Sequence, residues 1–447
     1  MQQRDIFKAY DIRGEVGDDG VNPAVMERIG FFFAGLAGAE GVAVGRDCRL
    51  SSERLQEAFI IGAARAGRDV LDIGQATTDT VYYAAATEGL AAAVITASHN
   101  PPDHNGVKLC RSSADHFSGQ DIQLVGERSL AAEALPENAT GRYGYRDVLA
   151  DYAAHLTELA AGYGPVGELK IGLDCGNGMA GPLAFALAEN LPVEVFGIYT
   201  EPDGNFPNHP ANPSDRENLK DLSYLVQRES LDLGVAFDTD ADRAVFIDDC
   251  GEVLDGDRAA ALLARWCLSH HPGETVVYDA IASKTVRLTI EEHGGRALRS
   301  RVGFPFIKEA LRASGAFFAS ETSGHYYFRD NFAIDSGAFA MLAMMQALTS
   351  AGQPLSILRR EFVSYVQSGE QTFKVADRQV AIAKVAACFD AEGEVDHLDG
   401  LTVTWPDRWL NLRASNTEPI IRLNVEGANE AAVKDLVGQV GDIVGRD

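Results

Sequence analysis

One pattern recurs three times along the chain: an apolar strand ends on an aspartate, a loop follows, and a helix begins. Gly41-Val42-Ala43-Val44-Gly45 ends at Arg46-Asp47 and passes through Ser51-Ser52 into an amphipathic period reaching Ala66, which reads as a capped helix. Leu169 to Asp174 leads through Cys175-Gly176-Asn177-Gly178 into a helix starting near Ala180, and Glu274 to Asp279 leads through Ala280 to Ser283 into another. Copies about a hundred residues or more apart are too widely spaced for a solenoid, whose period is ~20 to 50 residues. They predict three similar α/β units with mixed sheets.

After Leu355 the pattern changes. Short strands at 371–375 and 402–405 alternate with helices at 379–389 and 430–444, which predicts a smaller C-terminal α+β domain. A chain of 447 residues is long for one core. The expected division is 1–146, 147–250, 251–362 and 363–447, with a helix over 147–159 linking the first two units and a hairpin turn at 249–251 closing the second.

Net charge is −26, so a general attraction for nucleic acid or an anionic membrane is not expected, and an anionic substrate must be held by local Arg and Lys. The six cysteines show no zinc spacing and read as reduced thiols. The N-terminus lacks a signal pattern, and no run approaches the ~18 apolar residues of a membrane helix. The expected location is cytoplasmic.

Four stretches carry chemistry. The apolar run 90–95 delivers Ser98 to a turn, Thr96-Ala97-Ser98-His99-Asn100-Pro101, where Asn-Pro opposes helix formation. A second buried-strand pattern, 231–237, ends in Asp238-Thr239-Asp240-Ala241-Asp242-Arg243. Three alternating carboxylates at a strand mouth repel by ~4 kcal/mol per pair at an effective dielectric of about 20, so a divalent cation, Mg2+ by preference, is the implied partner. Two rival readings fit less well. An EF-hand requires glycine at the sixth position, where Arg243 stands, and flanking helices. A phosphatase with Asp238 as nucleophile would place Thr or Val where Asp242 stands.

The third stretch, Glu321-Thr322-Ser323-Gly324-His325, offers a carboxylate, a hydroxyl and an imidazole on one turn, a set suited to adjacent sugar hydroxyls or to an ordinary capped loop. The fourth, Arg413-Ala414-Ser415-Asn416-Thr417-Glu418-Pro419 with Arg422, gathers guanidinium, hydroxyl and amide donors that match phosphate. Tyr10 and Arg13 are expected at the end of a short strand over 7–14 that breaks at Gly14.

Taken together, FKAYDIRG, VGRDCRLSS, TASHNP, DCGNG, DGNFPNHP, FDTDADR, ETSGH and RASNTEP, in this order and over nearly the whole chain, resemble the α-D-phosphohexomutase superfamily, the bacterial phosphomannomutase/phosphoglucomutase branch above all. The resemblance implies a four-domain, heart-shaped molecule around a central cleft. It implies that Ser98 is phosphorylated and that Mg2+ is held by the phosphoserine with Asp238, Asp240 and Asp242. Arg243 would steady that phosphate, and Lys108 would act as general acid and base near His99 and His325. Tyr10, Arg13, Glu321 and Ser323 would bind substrate, and Arg413, Ser415, Asn416, Thr417 and Arg422 would grip the phosphate not being transferred.

The implied reaction interconverts mannose 6-phosphate and mannose 1-phosphate through a hexose 1,6-bisphosphate, which also serves as activator, in a monomer or dimer. Glucose phosphates, or both sugars, are the alternative substrates. A phosphatase and a non-catalytic binding protein remain as readings from other classes. Three departures from the family pattern stand out. Thr239 and Ala241 replace glycines common in the metal loop, Phe304 stands where many relatives carry histidine, and Ile281 occupies the place of a cationic residue near Asp279, with Lys284 three positions on.

Overall fold

The computed structural model describes residues 3–112, 115–136, 140–362, 365–389, 393–414 and 420–445. Four sheets succeed one another along the chain. The first contains β1 (Ile12–Glu15), β2 (Gly41–Arg46), β3 (Asp69–Gln75), β4 (Ala91–Ile95), β5 (His104–Cys110) and β6 (Tyr143–Tyr145), in the order β1-β5-β4-β2-β3-β6. The second contains β7 (Leu169–Asp174), β8 (Val193–Ile198), β9 (Leu233–Phe237), β10 (Ala244–Asp248) and β11 (Val253–Leu254), in the order β11-β10-β9-β7-β8. The third contains β12 (Thr275–Asp279), β13 (Arg296–Ser300), β14 (Phe318–Ser320), β15 (Tyr326–Phe328) and β16 (Ile334–Asp335), in the order β13-β12-β14-β15-β16.

These three sheets share one wiring. A central strand (β2, β7, β12) has a parallel neighbour on each side, and one of those neighbours (β4, β9, β14) turns back into an antiparallel strand (β5, β10, β15). The aspartate ending each central strand does the same local job. Asp47, Asp174 and Asp279 are buried, and each accepts the backbone N–H two residues on, from Arg49 (3.0 Å), Gly176 (2.9 Å) and Ile281 (3.1 Å). The repeated strand-to-aspartate pattern is thus an Asx turn that fixes how the chain leaves the sheet.

Helices cover both faces of the first sheet, so its inner strands are apolar on both sides. Ala91, Ala93 and Ile95 pack with Val42 and Val44 in one cluster, while Ala92 and Val94 pack with Ala43 in another. The second and third units share a core through the helix Gly337–Ala351, which is apolar all round and buried along most of its length. The fourth sheet, β17 (Val366–Gln367), β18 (Gln371–Lys374), β19 (Glu394–Asp396), β20 (Leu401–Thr404), β21 (Arg408–Ala414) and β22 (Ile420–Gly427), is antiparallel throughout. The helices Arg378–Phe389 and Glu430–Val444 pack on it, giving the expected α+β unit.

Two local expectations change. The N-terminal strand runs Ile12–Glu15 straight through Gly14, with Arg13 inside it and Tyr10 in the bend before it, because Ile12 to Glu15 pair with His104 to Val107 of β5. Ser51 does precede the helix Ser52–Arg65 but makes no side-chain cap. Asn105 instead donates to the Ser51 and Ser52 hydroxyls (2.8 and 2.9 Å), and Ser52 donates to Asp47. All six cysteines are free thiols, four of them buried. Among the described residues no helix is long and apolar enough to cross a membrane.

Candidate active site

The shared wiring places three loops in equivalent positions, each where a parallel strand turns into an antiparallel one. Ser98 lies between β4 and β5, the three aspartates between β9 and β10, and Glu321 to His325 between β14 and β15. Loops at the carboxyl ends of such strands are where α/β sheets hold ligands. Backbone bonds tie the acidic loop to the start of the first unit's helix Thr78–Glu88 and to the 321–325 loop. Thr78 N–H donates to the Asp240 carbonyl (2.9 Å), Ala244 N–H to the Gly324 carbonyl (3.1 Å), and Arg243 and His325 form an antiparallel bridge.

Ser98 is 1% exposed and has φ 49°, a left-handed conformation that is uncommon outside glycine. Its Oγ donates to Asp238 Oδ2 (2.9 Å) and lies 3.2 Å from His99 Nδ1, while Thr96 Oγ1 accepts its backbone N–H. Burial, with Arg243, Arg13 and Lys108 nearby, lowers His99 to about 2, so its imidazole is neutral. Asp238, Asp240 and Asp242 are all buried, with one oxygen of each within 4.8 Å of the others. Burial and the two neighbouring carboxylates push Asp238 well above the usual carboxylate range. Asp240 Oδ1 and Asp242 Oδ1 are buried without a hydrogen-bond partner. Buried, orphaned, mutually repelling carboxylate oxygens are the donor set a hard divalent cation takes, so these residues fit a magnesium-type ion.

Lys108 enters this acidic loop from β5, donating to Asp240 Oδ2 (2.6 Å) and to Asp242 Oδ2. Burial alone would lower its pKa, but the three aspartates outweigh it and keep the amine an ammonium. Burial raises Asp242, yet Lys108, His325 and Arg243 hold it well below the usual range. Arg243 Nε lies 3.6 Å from Asp238 Oδ2 and 3.3 Å from His325 Nε2. His325 Nε2 also lies 3.5 Å from Asp242 Oδ1, and its Nδ1 faces Ser323 Oγ (2.9 Å) and Glu321 Oε1 (3.6 Å); burial and Arg243 oppose a charge on the ring, but the two carboxylates raise its pKa. Tyr327 donates to Glu321 Oε1 (2.5 Å) and fixes its carboxylate.

Arg13 binds Asp11 and donates to Asn100 Oδ1 (3.3 Å), beside the serine turn. The Tyr10 ring meets Phe304 and Phe306 edge-on, with centroids 6.3 and 5.6 Å apart, spanning the first and third units. Arg413 and Arg422 stand opposite each other on β21 and β22, each donating to Glu370 at 2.9 Å. They do not join the central cluster through any of these bonds, although Arg413's charge acts on Asp279. Ser415, Asn416 and Thr417 lie outside the described residues.

The departures acquire physical content. Ala241 has φ 61° and is buried, so the acidic loop places a side chain where the backbone favours glycine. Lys284 Nζ donates to the Trp405 carbonyl (2.9 Å) and its backbone N–H to Glu426 Oε1 (3.0 Å), so it ties the third unit to the fourth.

Sequence reasoning missed Thr78, which donates to Asp240 Oδ2 (2.7 Å), and the buried pair Lys308–Asp335 (2.9 Å). Asp335 groups with Asp242 and His325, a second set of potential ligands that shares Asp242 with the first. The Thr77-Thr78-Asp79-Thr80 run, with four polar residues opening a helix, was the available signal for Thr78.

A buried serine turn, an acidic loop fit for a cation and a loop bearing a carboxylate, a hydroxyl and an imidazole thus stand on three equivalent hairpins. Sequence comparison spans nearly the whole chain. Residues 4–134, 150–251 and 255–365 match the phosphoglucomutase/phosphomannomutase alpha/beta/alpha domains I, II and III, and 370–443 match that family's C-terminal domain. The chain belongs to the phosphoglucomutase/phosphomannomutase family. It is 37% identical to a phosphomannomutase of Salmonella montevideo, covering 98% of this chain and 99% of that one. A phosphoglucomutase of Neisseria gonorrhoeae is 35% identical, covering 97% and 95% respectively. The crystal structure of a phosphoglucomutase/phosphomannomutase family protein from Burkholderia thailandensis superposes with a TM-score of 0.91 at 33% identity, covering 100% of this chain and 99% of that one.

Proposed function

We propose that the chain is a phosphomannomutase that interconverts mannose 6-phosphate and mannose 1-phosphate through phosphoserine 98 and a hexose 1,6-bisphosphate. The observation carrying this reading is Ser98 Oγ, buried and 2.9 Å from Asp238 at the head of the three-aspartate loop. A phosphoryl group on that oxygen would complete a ligand set with Asp238, Asp240 and Asp242, and the bound Mg2+ would neutralise charge on the phosphoryl oxygens.

In the first half-reaction the P–O bond to Ser98 breaks as a bond to the sugar oxygen forms. The sugar hydroxyl's proton leaves to a base, and an acid meets the serine oxygen. Lys108, held as an ammonium by the aspartates around it, gives its proton to the departing serine oxygen, and the amine so formed takes the proton of the attacking sugar hydroxyl, so the residue ends the step as it began. His99, neutral and 3.2 Å from Ser98 Oγ, orients that oxygen without adding charge. Arg243 steadies the transferring group, Glu321 and Ser323 hold sugar hydroxyls, and His325 positions both. Tyr10 and Arg13 flank the entry. Arg413 and Arg422, with Ser415, Asn416 and Thr417, take the phosphate that stays behind. The bisphosphate then turns over and returns its other phosphate to Ser98.

Phosphoglucomutase or dual activity is the second reading, favoured by relatives of similar identity bearing either name. Separate kcat/KM measurements for mannose 1-phosphate and glucose 1-phosphate decide between them, and a ratio favouring glucose overturns the mannose preference.

A further inference from the structure

We propose that Arg49 is the positioning residue of the serine turn, and that the 203–210 loop of the second unit holds Arg49 in place; this rests on the mutase reading. Arg49 belongs to VGRDCRLSS, a stretch to which the reaction assigns no role. It is 2% exposed, among the most deeply buried large side chains of the protein. Every donor of its guanidinium is engaged. Nε donates to Asp47 Oδ2 (3.1 Å), Nη1 to the carbonyls of Pro101 (2.5 Å) and His104 (3.0 Å), and Nη2 to those of Ser98 and Asn100 (both 2.6 Å). Three of the five bonds fall on the serine turn and a fourth on His104 where β5 begins, and one of them is to the reacting residue's own carbonyl.

That turn holds Ser98 at φ 49°, which a non-glycine residue keeps only where its surroundings over-determine it. The rigid guanidinium fork supplies that constraint, and a lysine ammonium, with three donors and no plane, cannot reproduce it. Asp47 anchors the fork and is itself bound by Ser52, whose hydroxyl also receives Asn105, the residue after His104.

The outer wall comes from the second unit. The Phe206 ring lies 5.3 Å from the Arg49 guanidinium carbon, with Phe206 itself held at φ 47°. Gly204 packs so tightly that a Cβ there would come within 2.4 Å of the Cys48 carbonyl and 2.7 Å of Arg49 Cα. Cys48 Sγ donates to the Asn177 carbonyl (3.3 Å). VGRDCRLSS, DCGNG and DGNFPNHP therefore meet behind the serine, forming a bracket between two units around one buried cation.

The test compares full-length parent, Arg49→Lys, Arg49→Ala and Phe206→Leu. Isomer exchange is measured first on the parent, so an inactive parent counts against the mutase reading, and an active parent with an equally active Arg49→Lys counts against Arg49 alone. The expected result for Arg49→Lys is a kcat lowered about 100-fold with KM within about threefold of the parent, as for a misplaced reacting group. The 31P resonance of phosphoserine 98 shifts in the same variant, millimolar guanidinium partly restores kcat to Arg49→Ala, and Phe206→Leu lowers kcat about tenfold at unchanged KM. An Arg49→Lys enzyme with parental kcat and an unshifted resonance overturns the proposal. So does an Arg49→Ala enzyme that guanidinium does not rescue and whose activity falls only in step with its folded fraction.

Discussion

At the serine turn one buried guanidinium faces four backbone carbonyls, whereas on β21 and β22 two guanidinium groups face each other and share a single, one-third exposed carboxylate, Glu370. The first arrangement leaves the reacting residue one geometry. The second leaves two cations with a countercharge that a phosphate can replace. A reacting oxygen must be placed to a fraction of an ångström, while the grip on the other phosphate has to release it when the bisphosphate turns over. On the proposed mechanism, rigidity stands where a bond is made and exchangeable charge where a ligand must leave.

The largest expected effect tests the rigid side. Asp240→Asn removes a carboxylate whose Oδ2 accepts from both Thr78 and Lys108 and whose Oδ1 is free for a cation. Its kcat should fall on the order of 100-fold or more, and the Mg2+ concentration for half-maximal activity should rise. Mg2+ titrations of activity check both; parental Mg2+ dependence would separate the acidic loop from metal binding.

Converting Arg413 and Arg422 together to lysine tests the exchangeable side. Two forks become two point charges, so KM for the sugar phosphate should rise about tenfold with kcat falling less. An effect on kcat alone would move these residues into the rigid group.

A third prediction concerns the junction with the fourth domain. Asp257 is buried, accepts from Ser283 N–H (2.8 Å) and from Gln367 Nε2 (2.7 Å), and burial pushes its pKa from 3.8 up to about 8. The folded state therefore keeps a proton that the unfolded chain has released, and stability drains away as pH rises from about 4 towards 8. Asp257→Asn should flatten the fall in Tm across that window, as read by thermal unfolding at a series of pH values. An unchanged slope would mean the carboxyl is already ionised in the folded protein.

The smallest effect is expected at Glu370→Gln, which removes the internal countercharge. The KM for sugar phosphate should fall about threefold, because the incoming phosphate no longer displaces a carboxylate. A rise in KM would show that Glu370 orients the arginines instead of competing for them.

The parts of this comparison were unequally visible in the sequence. The serine turn and the three-aspartate loop are contiguous, so spacing and charge expose their chemistry, and the strand-to-aspartate repeat exposes three of the four units. What stayed hidden is long-range. Arg49 reaches carbonyls of residues 98 to 104, Thr78 reaches Asp240, and Glu370, just before β18, reaches arginines on β21 and β22. A local pattern carries no information about such partners. The Ser51 cap was misread for the same reason, since the hydroxyl that would cap the helix is taken by Asn105. The strand broken at Gly14 was a local inference that pairing with β5 overrides.

The central claim, phosphoryl transfer through Ser98, is tested most directly by 31P NMR of the protein with Mg2+, a trace of glucose 1,6-bisphosphate and either mannose 1-phosphate or glucose 1-phosphate. The 6-phosphate resonance is expected to grow, faster from mannose, and to be lost in Ser98→Ala. Turnover surviving in Ser98→Ala, or inorganic phosphate as the sole product, would contradict it.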